Sequence, residues 1–141
     1  MGEATVTWVE GMQFVGEGGA SKHGIVLDAS AEVGGGGTGA RPMELLLVAL
    51  GGCTAMDIIS ILKKMRQNVT GLEINLKGEE ATDWPKRYQT IHLEYVVRGR
   101  GLDPKAVERS IELSDSKYCS VAASLRPGVQ ITNSYRLVEE E

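Results

Sequence analysis

The stretch from Pro42 to Gln67 constrains this chain more than any other. Pro42 suits the first turn of a helix, where its missing N–H leaves nothing unsatisfied. Leu45 to Leu50 is then apolar all round rather than along one stripe, and Lys63, Lys64 and Arg66 stand where positive charge complements a helix C-terminus. A helix of about 26 residues, ending near Asn68, is a rod of roughly 39 Å. A compact chain of 141 residues has a diameter of roughly 37 Å. Such a helix spans the whole subunit, and one small sheet cannot cover it. The sequence therefore predicts an obligate homodimer, with Gly51, Gly52 and Ala55 allowing close approach near the subunit boundary.

The same apolar run raises the question of a membrane. Leu45 to Leu62 carries Asp57, follows Glu44 and contains Gly51 and Gly52, whereas a span prefers about 20 residues without charge. A buried helix of a soluble protein is the expectation, with no membrane partner. Net charge is -4, and the 15 basic residues are scattered, so nothing marks a nucleic-acid surface. The N-terminal Met1 to Val6 lacks the basic and apolar regions of a secretory leader. A reducing, cytoplasmic setting follows as the expectation, and there a cysteine pair is more often catalytic or redox-active than a structural staple.

Around the helix the pattern is α+β in one domain, residues 1–141. Ala4 to Glu10 and Met12 to Glu17 read as a hairpin, and Gly24 to Ser30 as a third strand. Gly34 to Gly39 is a low-complexity loop. Its Gly35-x-Gly37-x-x-Ala40 superficially matches a dinucleotide fingerprint, but the acidic residue some twenty positions on is Asp57, inside the helix, so a mobile loop is the simpler account and no cofactor is expected. Strands follow at Leu72 to Glu79 and Tyr88 to Arg98, the second with Ile91, Leu93, Tyr95 and Val97 on one face. Asp103 and Pro104 read as the N-cap and first residue of a helix to Leu113. Ser114, Asp115 or Ser116 can cap a further short helix holding Cys119, and Val129 to Val138 closes as a strand before an acidic tail, Glu139 to Glu141. The order is βββ-α-ββ-αα-β.

The chemistry-bearing residues are the chain's two cysteines, Cys53 in the long helix and Cys119 at the start of a short one. There is no CxxC and no His at zinc-ligand spacing, so the spacing supports neither a structural metal site nor a thioredoxin-type motif. A redox-active thiol pair or two inert core thiols remain. His23 and His92 read as ordinary strand residues. Trp8, Phe14 and Trp84 can line an apolar mouth or pack in the core.

Pro42-Met43-Glu44-Leu45-Leu46 followed by Gly51-Gly52-Cys53-Thr54, together with Lys117-Tyr118-Cys119-Ser120-Val121 and the element order, resembles the OsmC/Ohr family of thiol-dependent peroxidases, closer to the OsmC-like branch. The resemblance implies an OsmC-like fold, an intertwined homodimer with a long central helix from each subunit, and a stress-response, antioxidant role. It implies reduction of small organic hydroperoxides by Cys53, with Cys119 as the resolving thiol of a Cys53–Cys119 disulfide and a dithiol as reductant. Ohr-type members place Glu directly after the helix-starting Pro, where this chain has Met43. Glu44 lies about 900° of helix from Cys53, on the opposite face, and is not the equivalent carboxylate. Nor does an Arg precede Arg41 to stabilise the thiolate as in Ohr-type members.

Local chemistry and the resemblance assign the sulfurs differently. Asp57, one turn beyond Cys53, disfavours a thiolate there, whereas Cys119 near a helix N-terminus and Lys117 looks the better thiolate. The resemblance gives the attack to Cys53. Two other classes remain open: an OsmC-fold binding or stress-response protein with little turnover, and a structural homodimer whose thiols are inert.

Overall fold

The computed structural model describes residues 2–141; Met1 lies outside them. The chain forms two compact units, one ending at Leu46 and one beginning at Leu47.

In the first unit, strands β1 (Ala4–Glu10), β2 (Gln13–Gly18) and β3 (Gly24–Leu27) form an antiparallel sheet in chain order. Gly11, at φ +55°, makes the β1–β2 turn, and its carbonyl accepts from Trp8 Nε1 at 2.8 Å. Trp8 and Phe14 stand opposite each other across the hairpin. No apolar side chain is buried among the described residues of this unit. The one buried residue among those described in this unit is Asp28, which organises the loop that follows. Asp28 Oδ2 accepts from the Thr38 hydroxyl at 2.6 Å and from Thr38 N at 3.1 Å, and the carboxylate also takes the Ala29 and Gly36 amides. These bonds, the Thr38 hydroxyl foremost, hold the Asp28 carboxyl down at about 2.

The glycine-rich loop is therefore pinned rather than mobile. A Cβ on Gly35 would lie 1.9 Å from the Ala29 carbonyl oxygen, so only glycine fits. The amides a dinucleotide phosphate would need at Gly36 and Thr38 already serve Asp28, and β3 joins an antiparallel sheet rather than a βαβ unit.

In the second unit, β4 (Asn68–Glu80) pairs antiparallel with β5 (Tyr88–Arg100), and β6 (Gln130–Glu139) pairs parallel with β5. Both β4 and β5 run longer than the sequence alternation indicates. Helices α1 (Pro42–Lys64), α2 (Pro104–Leu113) and α3 (Ser120–Leu125) complete the expected order. Asp103 caps α2 by accepting from Lys105 N at 3.0 Å, with Pro104 following as expected. The acidic end is not a free tail: Glu139 lies in β6, and Glu140 N donates to Gly99 O at 2.8 Å.

Helix α1 stops short of Asn68 because Arg66 adopts φ +58°. Arg66 N donates to Lys63 O and Gln67 N to Leu62 O, which is a Schellman stop with arginine where glycine is usual. At the other end, the Glu44 carboxylate accepts from Arg41 N at 3.3 Å, so this residue closes the helix N-terminus.

The core is built from Leu50, Ile58 and Leu62 of α1, Ile91, Leu93, Tyr95 and Val97 of β5, and Val107 and Ile111 of α2. A Cβ on Gly51 would lie 2.8 Å from Leu76 Cδ1, so this glycine lets α1 lie down on β4. As the sequence leads one to expect, the chain's own sheet does not cover the helix on every side. By length and composition α1 could cross a membrane, yet within the chain it buries only the stripe Leu50, Gly51, Thr54, Ile58 and Leu62. Val48, Met56 and Ile59 remain 65%, 76% and 43% exposed on its other side.

Candidate active site

Cys53 and Asp57 lie one turn apart on α1, so helical geometry sets them on one face. Cys119 reaches them from a different part of the chain. After Leu113 the chain makes a single π-helical turn, Ser114–Tyr118, which closes with Cys119 N donating to Ser114 O at 2.9 Å. This wider turn brings both of its end residues against α1. Ser114 Oγ donates to Asp57 Oδ2 at 2.9 Å. The two Sγ atoms and an Asp57 carboxylate oxygen all lie within 4.8 Å of one another. Both sulfurs are free thiols.

The two thiols differ in environment. Cys53 is half-buried, whereas Cys119 is only 4% exposed. Burial pushes the Cys119 thiol up to about 11, and the neighbouring Cys53 adds to the rise. The Ala122 amide, 3.4 Å from the Cys119 sulfur at the start of α3, offsets only part of it. The local reading that favoured Cys119 as the thiolate is thus overturned, because a short helix N-terminus is outweighed by loss of solvent. Lys117 does not reverse this, since its Nζ sits over the Tyr118 ring, 5.2 Å from the centroid. Arg126 is also engaged: it pairs with Asp115 at 2.7 Å and donates to the Asp115 carbonyl at 2.8 Å, bracing the π turn.

Tyr95 of β5 completes the surroundings. It is 1% exposed, interacts with Thr54 and is influenced by Cys119 and Asp57, and burial raises its hydroxyl to about 12. It stays protonated at any physiological pH. Asp57 also borders a groove of about 390 Å³ whose walls include Ile61, Lys64, Leu113 and Tyr118.

Sequence reasoning named Cys53, Asp57 and Cys119, which the fold brings together, but not Ser114 and Tyr95 as their neighbours. Ser114 carries a visible signal as a small polar residue after α2, but not one that names Asp57 as its partner. The other candidates lie elsewhere. His92 contacts Thr132 Oγ1 and Ser134 Oγ across β6, and His23 contacts Ser21 O. Trp84 is 85% exposed beyond β4, and Trp8 and Phe14 belong to the first sheet.

Comparison with known proteins sets this geometry in context. The family model for the OsmC-like protein matches residues 34–134. Protein YhfA of Escherichia coli (strain K12) is 44% identical over 136 residues, covering 96% of this chain and 98% of its own. A solved structure of a hypothetical protein from Aquifex aeolicus VF5 is 33% identical, with a TM-score of 0.87, and covers 100% of this chain and 98% of the other. An organic hydroperoxide resistance protein OsmC from Legionella pneumophila has a TM-score of 0.71 over 96% of each chain at 15% identity, a likeness of fold alone.

Proposed function

The chain belongs to the family of OsmC-like proteins, and on that footing we propose that it reduces organic hydroperoxides with Cys53 as the attacking thiol and Cys119 as the resolving one. The observation that carries this reading is the pair of sulfurs within 4.8 Å, one half-buried and the other sealed. The more open sulfur is the one a substrate can reach. In the first step the Cys53 thiolate attacks the O–O bond, forming an S–O bond and expelling the alkoxide, which takes a proton to become the alcohol. In the second, the Cys119 sulfur displaces hydroxide from the Cys53 sulfenic acid, and the thiol proton leaves with it as water. The sulfurs close from within 4.8 Å to about 2.05 Å in the disulfide.

The Cys119 thiol, raised to about 11 by burial, stays protonated near neutral pH and so leaves the attack on the hydroperoxide to Cys53. The groove beside Asp57, with Ile61, Met65, Leu113 and Tyr118 among its walls, is the proposed bed for the organic part of the hydroperoxide. A dithiol reductant then restores both thiols, which fits a reducing cytoplasmic setting.

A homodimer is part of the same reading. The exposed face of α1 at Val48, Met56 and Ile59 and the coreless first sheet both call for apolar cover, and a second copy of the chain supplies it. Cys53 lies beside that face on the helix, so each site would share walls between subunits.

Asp57 favours one competing reading. Its carboxylate lies within 4.8 Å of both sulfurs, with no free cation on them among the described residues, as expected of an OsmC-fold binding or stress-response protein with little turnover. Stopped-flow consumption of cumene hydroperoxide tests the assignment. Cys53→Ser should abolish it, whereas Cys119→Ser should allow one attack per chain and leave a sulfenic acid that overoxidises. The reverse pattern would exchange the two roles, and no consumption by the wild type would favour the competing reading.

A further inference from the structure

Asp57 is an unexpected neighbour for a reactive thiol. Its carboxylate sits with two sulfurs inside a 4.8 Å cluster, and the nearby cations Lys117 and Arg126 are engaged with Tyr118 and Asp115. That spacing lets the three groups share one cation. We propose that the reduced Cys53–Asp57–Cys119 cluster is a binding site for a thiophilic divalent cation, with Zn²⁺ as the ion of choice.

The donor set fits that ion. Zinc takes thiolate sulfur at ~2.3 Å and carboxylate oxygen at ~2.0–2.2 Å, so tetrahedral ligand atoms lie roughly 3.5 to 3.8 Å apart. The present spacing, within 4.8 Å, closes to this by a contraction of at most about 1.3 Å. Two sulfurs and one oxygen select a borderline-to-soft cation over Mg²⁺ or Ca²⁺, whose shells are built from oxygen. Three protein ligands leave a fourth position open, as at zinc sites that hold a water.

The outer groups are also in place. Ser114 Oγ donates to Asp57 Oδ2 at 2.9 Å and fixes the carboxylate, and the Ala122 amide points at the Cys119 sulfur from 3.4 Å. Such hydrogen bonds orient first ligands and stabilise a bound thiolate. The linear spacing of the cysteines offers no metal motif; the π turn creates one in space by carrying Ser114 and Cys119 to α1 together.

Binding and peroxide chemistry compete for the same sulfur lone pairs. On binding, the ion displaces the two thiol protons to solvent. Oxidation of the zinc form by one organic hydroperoxide takes up two protons and gives the disulfide, the alcohol, water and free Zn²⁺, with both electrons coming from the two thiolates. The binding step is independent of the proposed peroxidase activity; only the release step rests on it.

The test titrates reduced, metal-free protein anaerobically with Co²⁺ and then Zn²⁺. One Co²⁺ per chain should give near-ultraviolet thiolate-to-cobalt charge-transfer absorption and intense tetrahedral visible bands, which Zn²⁺ abolishes. Ser114→Ala should weaken binding by ~10- to 100-fold while keeping the spectrum. Asp57→Asn should weaken it at least as much. Hydroperoxide should release the bound Zn²⁺, read with a chromogenic chelator, and hydroperoxide consumption by the metal-free protein is followed in parallel. Thiolate charge transfer with no consumption would keep the metal site and remove the peroxidase reading. Absence of charge transfer in the reduced wild type, or binding undiminished in the disulfide form, would overturn the metal site whatever the peroxide assay shows.

Discussion

Up to Leu46 the chain builds a three-stranded sheet in which no described apolar side chain is buried, whereas from Leu47 onward α1, α2 and β5 close on a continuous core of Leu50, Ile58, Leu62, Ile91, Leu93 and Val107. The first region is ordered by backbone pairing and by one carboxylate, Asp28, that gathers the amides of a glycine-rich loop. The second is ordered by burial and holds both thiols. A unit of the first kind is too small and too open to hold itself together by burial, so its stability must come from a surface outside its own core. A second chain is the proposed source. The two cysteines lie in the second region, beside its continuous core.

The largest expected effect comes from denying that cover. Met56→Glu changes a side chain that is 76% exposed in the single chain, so its folding stability should move by no more than about 0.5 kcal/mol. In a dimer built on this face of α1 the new carboxylate is buried without a partner. That costs about 3 kcal/mol, or a roughly hundredfold weaker dimer. Sedimentation at low micromolar concentration should show monomers, with hydrogen exchange faster in β1–β3 than in β4–β6. A wild-type chain that is itself a stable monomer would break the comparison.

Next in size is a change inside the first region. Gly35→Ala places a Cβ 1.9 Å from the Ala29 carbonyl oxygen, a backbone atom that cannot swing aside. The strain should cost about 3 kcal/mol, read as a lower Tm and lost amide protection from Asp28 to Thr38. Peroxide chemistry measured below the new Tm should persist if the second region is self-sufficient.

The smallest effect is in the pH dependence, where the two regions should weaken at opposite ends. The Asp28 carboxyl is lowered from 3.8 to about 2 by the Thr38 hydroxyl and neighbouring amides. It binds fewer protons folded than unfolded, so its contribution is present above pH 3.8 and fades as pH falls toward about 2. Cys119 is raised from 9.0 to about 11 by burial, so its contribution is present below pH 9 and fades as pH climbs through about 11. Thermal melts should show Asp28→Asn flattening only the acid limb, and Cys119→Ala only the alkaline limb.

The same contrast separates what was legible in the sequence from what was not. Local signals delivered the order of elements: Pro42 and Asp103-Pro104 mark helix starts, and Ile91 to Val97 alternates as a half-buried strand. They failed where long-range packing decides. Arg66 in a left-handed conformation ends α1 early, although nothing in an arginine announces it. The π turn adds one residue per turn at Ser114–Tyr118, which no periodicity in five residues can show, and that extra residue carries Ser114 and Cys119 to the site. Residue type and motif identified the two cysteines, but that Cys119 is sealed from solvent while Cys53 is half-buried is set by long-range packing. The glycine-rich loop looked loose because its anchor, Asp28, lies before it rather than within it.

The central claim is that Cys53 and Cys119 form one two-electron centre. It is tested most directly by treating fully reduced protein with one equivalent of cumene hydroperoxide, then reading intact mass and free thiols under denaturing conditions. Both thiols should vanish together, with the loss of two hydrogens per chain and full recovery on adding a dithiol. Two free thiols remaining per chain, or a gain of oxygen at one sulfur with the other still free, would contradict it.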